Sequence, residues 1–500
     1  MAKHIGLVLD DPEGQIIGRT VAEDISFGPI NLALSVEEIH QRVTTALKMV
    51  QLQGFEQRDT SELSGGEKQR LAIAGILAMC PEVLVLDEPA SELDPIGRQE
   101  IYETINDQRV SGHLTLLITE HNCEEILHRA DEVKVLLKGE LVWEGRPEVL
   151  FRNIPLLNSF QIRPLPVSLL GWYFYQQGWI NFDDIPLDIA AAANMIRCIL
   201  PRLTPMRCLP KAELSALASS TSDEVIVEVA DLTHEYTPGK LVLHSVNLTV
   251  RAGEFIALIG QNGSGKTTLA KHFNGLLKPT TGKVMVNGKD TLQFTTSSLA
   301  LDVGYVFQNP DHQLFSATVE QELAYGLNNL GLRSAEINDR INQVLEFTCL
   351  EQLRNEHPLS LGKGERQMIA VASILVLRPK ILVIDEPTTG LDWTGIQRML
   401  SLIKRLHQAG TTIIMISHDM EIIAKYAQRV IVMKDGDVFL DGHTREVFQN
   451  VTLLEQAGIV PPQCVRLSES LKPLGFNEVF LHEEEFLQAM LPQMEESICS

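Results

Sequence analysis

Several features are scarce in this 500-residue chain, and each scarcity excludes something. There is no uninterrupted run of about twenty apolar residues, the length a membrane-spanning helix needs. The nearest candidate, Pro166 to Phe182, is broken by Gln176-Gln177. No secretory signal is read at the start of the chain, so a protein that does not itself span a membrane is expected. Seven cysteines, at positions 80, 123, 198, 208, 349, 464 and 499, contain no Cys-x-x-Cys pair. That excludes a disulfide framework or a cysteine zinc site as the organising feature. Basic residues are short as well: 42 Lys+Arg against 65 Asp+Glu leave a net charge of −23. A broad nucleic-acid footprint needs the opposite balance. The first half also lacks a glycine-rich phosphate loop that the second half has.

What is present is a repeat. Ile5-Gly6-Leu7-Val8 lines up with Val303-Gly304-Tyr305-Val306, a shift of 298 positions (303 minus 5). At the same shift Val83-Leu84-Val85-Leu86-Asp87-Glu88-Pro89 lines up with Ile381-Leu382-Val383-Ile384-Asp385-Glu386-Pro387, and Ser91-Glu92-Leu93-Asp94 with Thr389-Gly390-Leu391-Asp392. Thr119-Glu120-His121 matches Ile416-Ser417-His418 after a one-residue slip. The period is far too long for a solenoid and marks a duplicated domain. The second copy starts near Val225, so the first is expected to lack about 75–80 residues at its start. Those would hold a central strand, the phosphate loop and the next helix. Losing a central strand leaves backbone groups unpaired, so a truncated reading frame is expected rather than a natural half-domain.

The second copy carries the chemistry. Phe255-Ile256-Ala257-Leu258-Ile259 is a short strand-type run that feeds Gly260-Gln261-Asn262-Gly263-Ser264-Gly265-Lys266-Thr267-Thr268. From Thr267 the pattern is helical, with Leu269, Phe273, Leu276 and Leu277 on one face. Strand, glycine loop and helix form a phosphate cradle: backbone N–H groups and the helix N-terminus face the anion. Lys266 reaches the β- and γ-phosphates, and the Thr267 hydroxyl is placed for Mg²⁺. Asp385 and Glu386 stand at a strand's end, the first for Mg²⁺ and the second to polarise the attacking water. His418 follows the strand Thr412–Ile416 and is placed for the γ-phosphate. Gln308 follows another strand and is placed for Mg²⁺ or water; its counterpart Asp10 is a carboxylate and lacks the amide donor. Tyr236 is read either as an adenine platform or as a surface tyrosine. In the first copy, Leu63-Ser64-Gly65-Gly66-Glu67 precedes a helix and makes a second anion cradle, capped by Ser64.

This set resembles the nucleotide-binding subunits of ATP-binding-cassette (ABC) proteins over nearly the whole chain. The resemblance implies an α/β fold. It implies two tandem P-loop ATPase domains, each with a helical signature subdomain and a C-terminal extension. The boundaries are 1–150 for the first, partial domain, 151–222 for its extension and linker, 223–448 for the complete second domain, and 449–500 for its extension. ATP and Mg²⁺ are the implied cofactors. In this family two domains pair head to tail, so Ser64, Gly65 and Gly66 are expected to close on ATP held by Lys266, Thr267, Gln308, Asp385, Glu386 and His418. The other site would combine Asp10, Asp87, Glu88 and His121 with Gly362, Lys363 and Gly364. There Gly362 replaces the signature serine and Lys363 a glycine. Removing one preorganised donor raises a barrier by ~3 kcal/mol, so this second site is expected to turn over poorly.

Gln308-Asn309-Pro310-Asp311-His312-Gln313-Leu314-Phe315 further resembles the ATPases of energy-coupling-factor importers of vitamins and transition-metal ions. That implies a peripheral protein at the cytoplasmic face of the membrane. Its partners would be a coupling subunit and a substrate-binding subunit, with no nucleic acid. The alternatives are a soluble tandem ABC protein acting on ribosomes and a non-hydrolysing regulatory ABC protein. In the first extension, Trp172, Tyr173, Phe174, Tyr175 and Trp179 are read either as packing on their own domain or as a contact between halves or with a membrane subunit. Glu483-Glu484-Glu485 is read as a solvated helix face.

Overall fold

The structure is a computed structural model that describes residues 4–89, 95–110, 114–200, 223–476 and 478–490. Asp94, Cys208 and Cys499 lie outside the described residues. The chain divides into two compact units, Met1–Arg129 and Ala130–Ser500.

The larger unit is built around a six-stranded sheet. Its order is Val303–Val306, Ile381–Asp385, Thr412–Ile416, Phe255–Ile259, Arg429–Lys434, Asp437–His443. The first five strands run parallel and the last is antiparallel. Central strands of such a sheet are covered on both faces, so they are apolar throughout rather than alternating. Ile381, Leu382, Val383 and Ile384 are all fully buried. On one face Ile256, Leu258 and Ile414 pack with Leu269 and Phe273 and with the antiparallel sheet that includes Val225–Thr237 and Lys240–Arg251. On the other, Ala257, Ile259 and Met415 meet the helical layer, which includes Val319–Asn329, Ser334–Thr348 and Lys363–Leu375.

The smaller unit repeats only part of this. Ile5–Val8, Val83–Asp87 and Thr115–Thr119 form a three-stranded parallel sheet. Val8, Leu84 and Leu86 pack on the helix Gly65–Leu77, and Ile25 and Leu47 bring in two more helices. Among the described residues of this unit, the opposite face of the sheet is more open. Leu7 and Leu117 are 48% and 54% exposed, whereas their counterparts Tyr305 and Ile414 are 5% and 2% exposed. In the second copy that face is covered by the antiparallel sheet and the phosphate-loop helix.

Both extensions are helical, and they pack on each other. Ile189–Ile199 lies against Gln463–Leu471, and Pro166–Gln176 against Glu483–Met490. Phe174 is fully buried with Trp179 stacked on it at 5.5 Å. The helix that carries these aromatics packs on the second copy's extension, while the ring contacts themselves, such as Phe174 with Trp179 and Tyr175 with Phe182, lie within the first extension. The reading of Glu483–Glu485 as a solvated face is corrected. Glu484 pairs with Lys425 at 2.7 Å and Glu485 with Arg445 at 2.6 Å. Hydrogen bonding to His482 and Lys425 holds the Glu484 carboxyl down at about 2. The helical spacing that suggests a free acidic face does not reveal cations arriving from other elements.

Glu421 is half-buried, and its carboxyl accepts from Gln463 N in the second extension at 2.6 Å. Burial pushes it up to about 7, opposed by the Gln463 N–H and Arg163 and reinforced by Asp419 and Glu483. The folded state therefore holds a proton that the unfolded chain, at 4.5, releases. Stability falls as pH rises through this window, and the full penalty is present above pH 7. Each tenfold gain in proton affinity on folding corresponds to about 1.4 kcal/mol. Glu421→Gln keeps the acceptor for Gln463 and removes the charge. It should raise the melting temperature at pH 8 by a few degrees, with the gain vanishing by pH 4.5; an equal gain at both pH values refutes the assignment.

Candidate functional site

The phosphate loop leaves the strand Phe255–Ile259 at Gly260 and enters the helix Lys266–Phe273. Two backbone positions explain its glycines. Gly260 has φ 150° and a Cβ there would lie 2.2 Å from the Met433 carbonyl oxygen. Gly265 caps the helix at φ 99°, and a Cβ would strike Leu243. The Lys266 ammonium folds into the loop and donates to Gly260 O and Gln261 O, both at 2.8 Å. The Ser264 hydroxyl is buried without a hydrogen-bond partner. An orphaned hydroxyl in a glycine loop at the start of a helix fits a phosphate. Tyr236 stands beside the loop, its hydroxyl 3.1 Å from Thr268 Oγ1 and its ring edge-on to His234.

The carboxylates come from the end of Ile381–Asp385, which the strand Thr412–Ile416 separates from Phe255–Ile259 in the sheet. Thr267 Oγ1 donates to Asp385 Oδ2 at 3.0 Å, and Tyr305 OH donates to the same oxygen at 2.9 Å. Burial raises the Asp385 carboxyl despite these donors. A hydroxyl and a carboxylate oxygen held side by side are hard oxygen donors, and they fit Mg²⁺. The metal's part would be to draw negative charge off the phosphoryl oxygens. Gln308 lies exposed just past the strand Val303–Val306, which pairs with Ile381–Asp385.

Glu386 is buried at the strand's end with φ 48°. Burial, then the Asp385 charge, pushes its carboxyl well above the usual range. His418 Nε2 lies 3.3 Å from Glu386 Oε1, and the His418 N–H donates to Oε2 at 3.4 Å. A carboxyl held high by its surroundings and touching an imidazole is suited to taking a proton from water at the phosphate.

The first copy repeats part of this pair in the open. His121 Nε2 lies 2.8 Å from Glu88 Oε1, and Glu88 also has positive φ, at 42°. Asp87 accepts from Thr119 Oγ1. The His121 side chain is 58% exposed against 22% for His418. Asp10 is exposed and accepts from the Asp11 N–H.

The two signature helices begin differently. Ser64 caps Gly65–Leu77: its Oγ accepts from Glu67 N, and Glu67 Oε2 accepts from Ser64 N at 2.7 Å. Gly362 stands at the same cap of Lys363–Leu375 without a hydroxyl, so only the return bond from Glu365 remains. Ser360 instead donates to the His357 carbonyl oxygen in the preceding turn. The Lys363 side chain lies over Gly390, where a Cβ would meet its ammonium at 2.3 Å.

Tyr305 and Gln313 are roles that sequence reasoning missed. A tyrosine in an apolar buried strand needs a partner for its hydroxyl, which is the signal that was available for Tyr305. Gln313 accepts from Phe307 N at 3.4 Å and donates to Ala370 O at 2.7 Å, tying the Gln308 loop to the signature helix. No spacing rule announces that bond.

A phosphate loop, a buried carboxylate pair and a histidine in contact with the glutamate define a P-loop ATPase, and the serine-capped glycine helix of the smaller unit has the form of the ABC signature. The family profile described as ABC transporter matches residues 1–91 and 243–389. A protein of Caldanaerobacter subterraneus named as an ABC transporter ATP-binding protein is 41% identical over 97% of this chain and 84% of its own length. One of the same name from Methanosarcina acetivorans is 39% identical over 99% and 82%. The chain belongs to the ABC transporter ATP-binding proteins. As a member it binds ATP with Mg²⁺ and hydrolyses it. Among solved structures it is similar to cbiO1 of Clostridium perfringens, described as part of the ABC transporter complex cbiONQ. That match is 36% identical, covers 47% of this chain and 94% of the other, and has a TM-score of 0.43. Among the described residues no helix is long and apolar enough to cross a membrane.

Proposed function

We propose that this chain energises an importer of the energy-coupling-factor type, with one competent ATP site. The nucleotide is held by the second copy's phosphate loop, Asp385, Glu386 and His418. The signature at Ser64, Gly65 and Gly66 completes the site, as the resemblance of the motif set implies. The degenerate signature at Gly362-Lys363-Gly364 leaves the other site poor. Gln308 to Phe315 supports the narrower importer reading by its likeness to that group.

One observation carries the membrane-partner reading. Phe315 and Tyr325 are 64% and 51% exposed and meet edge to face at 4.7 Å. Buried Glu322 holds this loop by accepting from the Phe315 and Ser316 N–H groups. The first copy repeats the device at the same shift. Asp24 accepts from Ile17 N and Gly18 N, and Ile17 and Phe27 are 68% and 49% exposed. A buried acid spent in both copies on presenting an apolar pair to solvent points to a partner surface.

Phe315→Glu with Tyr325→Glu should release the chain from membrane vesicles containing its coexpressed transporter subunits. Its ATP hydrolysis in solution should stay within about twofold. Sedimentation with ribosomes rather than membranes would favour the soluble tandem reading and refute this one.

A further inference from the structure

The first copy's extension touches the turn that carries His418. Arg163 lies between the helices Ile154–Ser159 and Pro166–Gln176. Its Nη1 donates to Asp419 Oδ2 at 2.6 Å, and its guanidinium stands 5.1 Å from the Trp393 ring centre. Asp419 directly follows His418, and Trp393 directly follows Asp392 at the start of the helix Trp393–Gln408. Asp419 is held at two further points. Its Oδ1 caps the next helix by accepting from Ile422 N at 3.1 Å, and its N–H donates to Ser417 Oγ at 3.1 Å. The turn that carries His418 is thus anchored partly from within the second copy and partly by a cation from the first.

The repeat supplies an independent observation. Asn153 and Asn450 cap equivalent helices, so Arg163, ten residues past Asn153, corresponds to Val460, ten past Asn450. His121 corresponds to His418, so Asp419 corresponds to Asn122. Both members of the pair differ in the other copy: the cation is an exposed valine and the acid a neutral amide. Of the two histidine turns, only the one whose histidine contacts the buried glutamate carries the charge pair. An ion pair that merely tied two surfaces together would contribute little and would not need to follow the chemistry.

We propose that Arg163 is a positioning residue for ATP hydrolysis. Through Asp419 it sets the His418 turn against Glu386, and by stacking on Trp393 it ties that turn to the helix after Asp392. The first copy's extension thereby controls how well the second copy's histidine is aimed. The inference rests on His418 serving the competent site, as proposed above.

Steady-state hydrolysis of Mg-ATP by the full chain tests it, with fluorescent-nucleotide affinity and melting temperature measured in parallel. Arg163→Leu keeps most of the side-chain volume and should lower kcat by about tenfold, the scale of a small misplacement at a reacting centre. KM and nucleotide affinity should stay within about twofold. Arg163→Lys should recover part of kcat because it restores the charge but not the planar stacking. Arg163→Asp combined with Asp419→Arg should be faster than either single change. Unchanged kcat in Arg163→Leu overturns the proposal. So does a parallel fall in kcat, affinity and melting temperature that lysine does not rescue, since that is a structural role. His418→Ala separates the two levels. If it leaves turnover intact, the reading of the site itself fails; if it abolishes turnover while Arg163→Leu is silent, only the positioning role fails.

Discussion

Glu386→Gln should lower ATP turnover by about a hundred- to ten-thousandfold, the range a positioned general base supplies, while nucleotide still binds. Glu88→Gln should leave turnover within about twofold. The contrast follows from surroundings, since both glutamates share the same positive-φ strand end and the same histidine contact. Glu386 is buried, beside Asp385, and its carboxyl is pushed up. An amide has the same shape and no charge, so the fold should tolerate it and only the proton acceptor is lost. Lys266, Ser264 and Thr267 are untouched, so affinity for ATP persists. Phosphate release and equilibrium nucleotide binding, measured on the same preparations, decide the matter. Equal loss of turnover in both variants would mean that two sites share the work.

The second large effect lies in the first copy. Gly65→Asp should nearly abolish turnover without lowering stability. A Cβ at Gly65 meets nothing within 4 Å, and φ there is not positive. An acid in the first turn of a helix is favourable to the helix itself. The same carboxylate, however, brings a negative charge to amides proposed to face the γ-phosphate, and two anions cannot share one cradle. Lys363→Asp, which puts the same carboxylate at the equivalent position, should have little effect on turnover because that cradle already lacks its serine and a glycine. A melting curve and a turnover assay on each variant check both halves of the claim. A Gly65→Asp protein that hydrolyses ATP normally would refute the role of the first signature.

Much of the site is legible along the chain because its motifs are local. The glycines of the phosphate loop, the strand-end carboxylates and the signature cap each depend on a few consecutive residues, and backbone geometry dictates the residue type. Gly362 at a cap needs no structure to show what is missing. The all-apolar strands likewise announce a sheet covered on both faces, since burial on two sides removes the alternation.

Other features depend on residues far apart in sequence. Tyr305 meets Asp385 across neighbouring strands, and Gln313 meets Ala370 across the sheet-to-helix boundary. The acidic run at Glu483–Glu485 looks solvated because helical spacing contains no information about Lys425 or Arg445. Arg163 is an unremarked arginine in a proline-rich stretch until folding places it on Asp419.

By itself, then, the sequence determined the class of protein, the duplication and the inequality of the two signatures. Those follow from short-range stereochemistry repeated at a fixed shift. Only the tertiary structure decided how deeply Glu386 is buried compared with Glu88, and which copy's extension touches the histidine turn. Burial and long-range ion pairing are properties of packed elements, and no local pattern encodes which surfaces will meet.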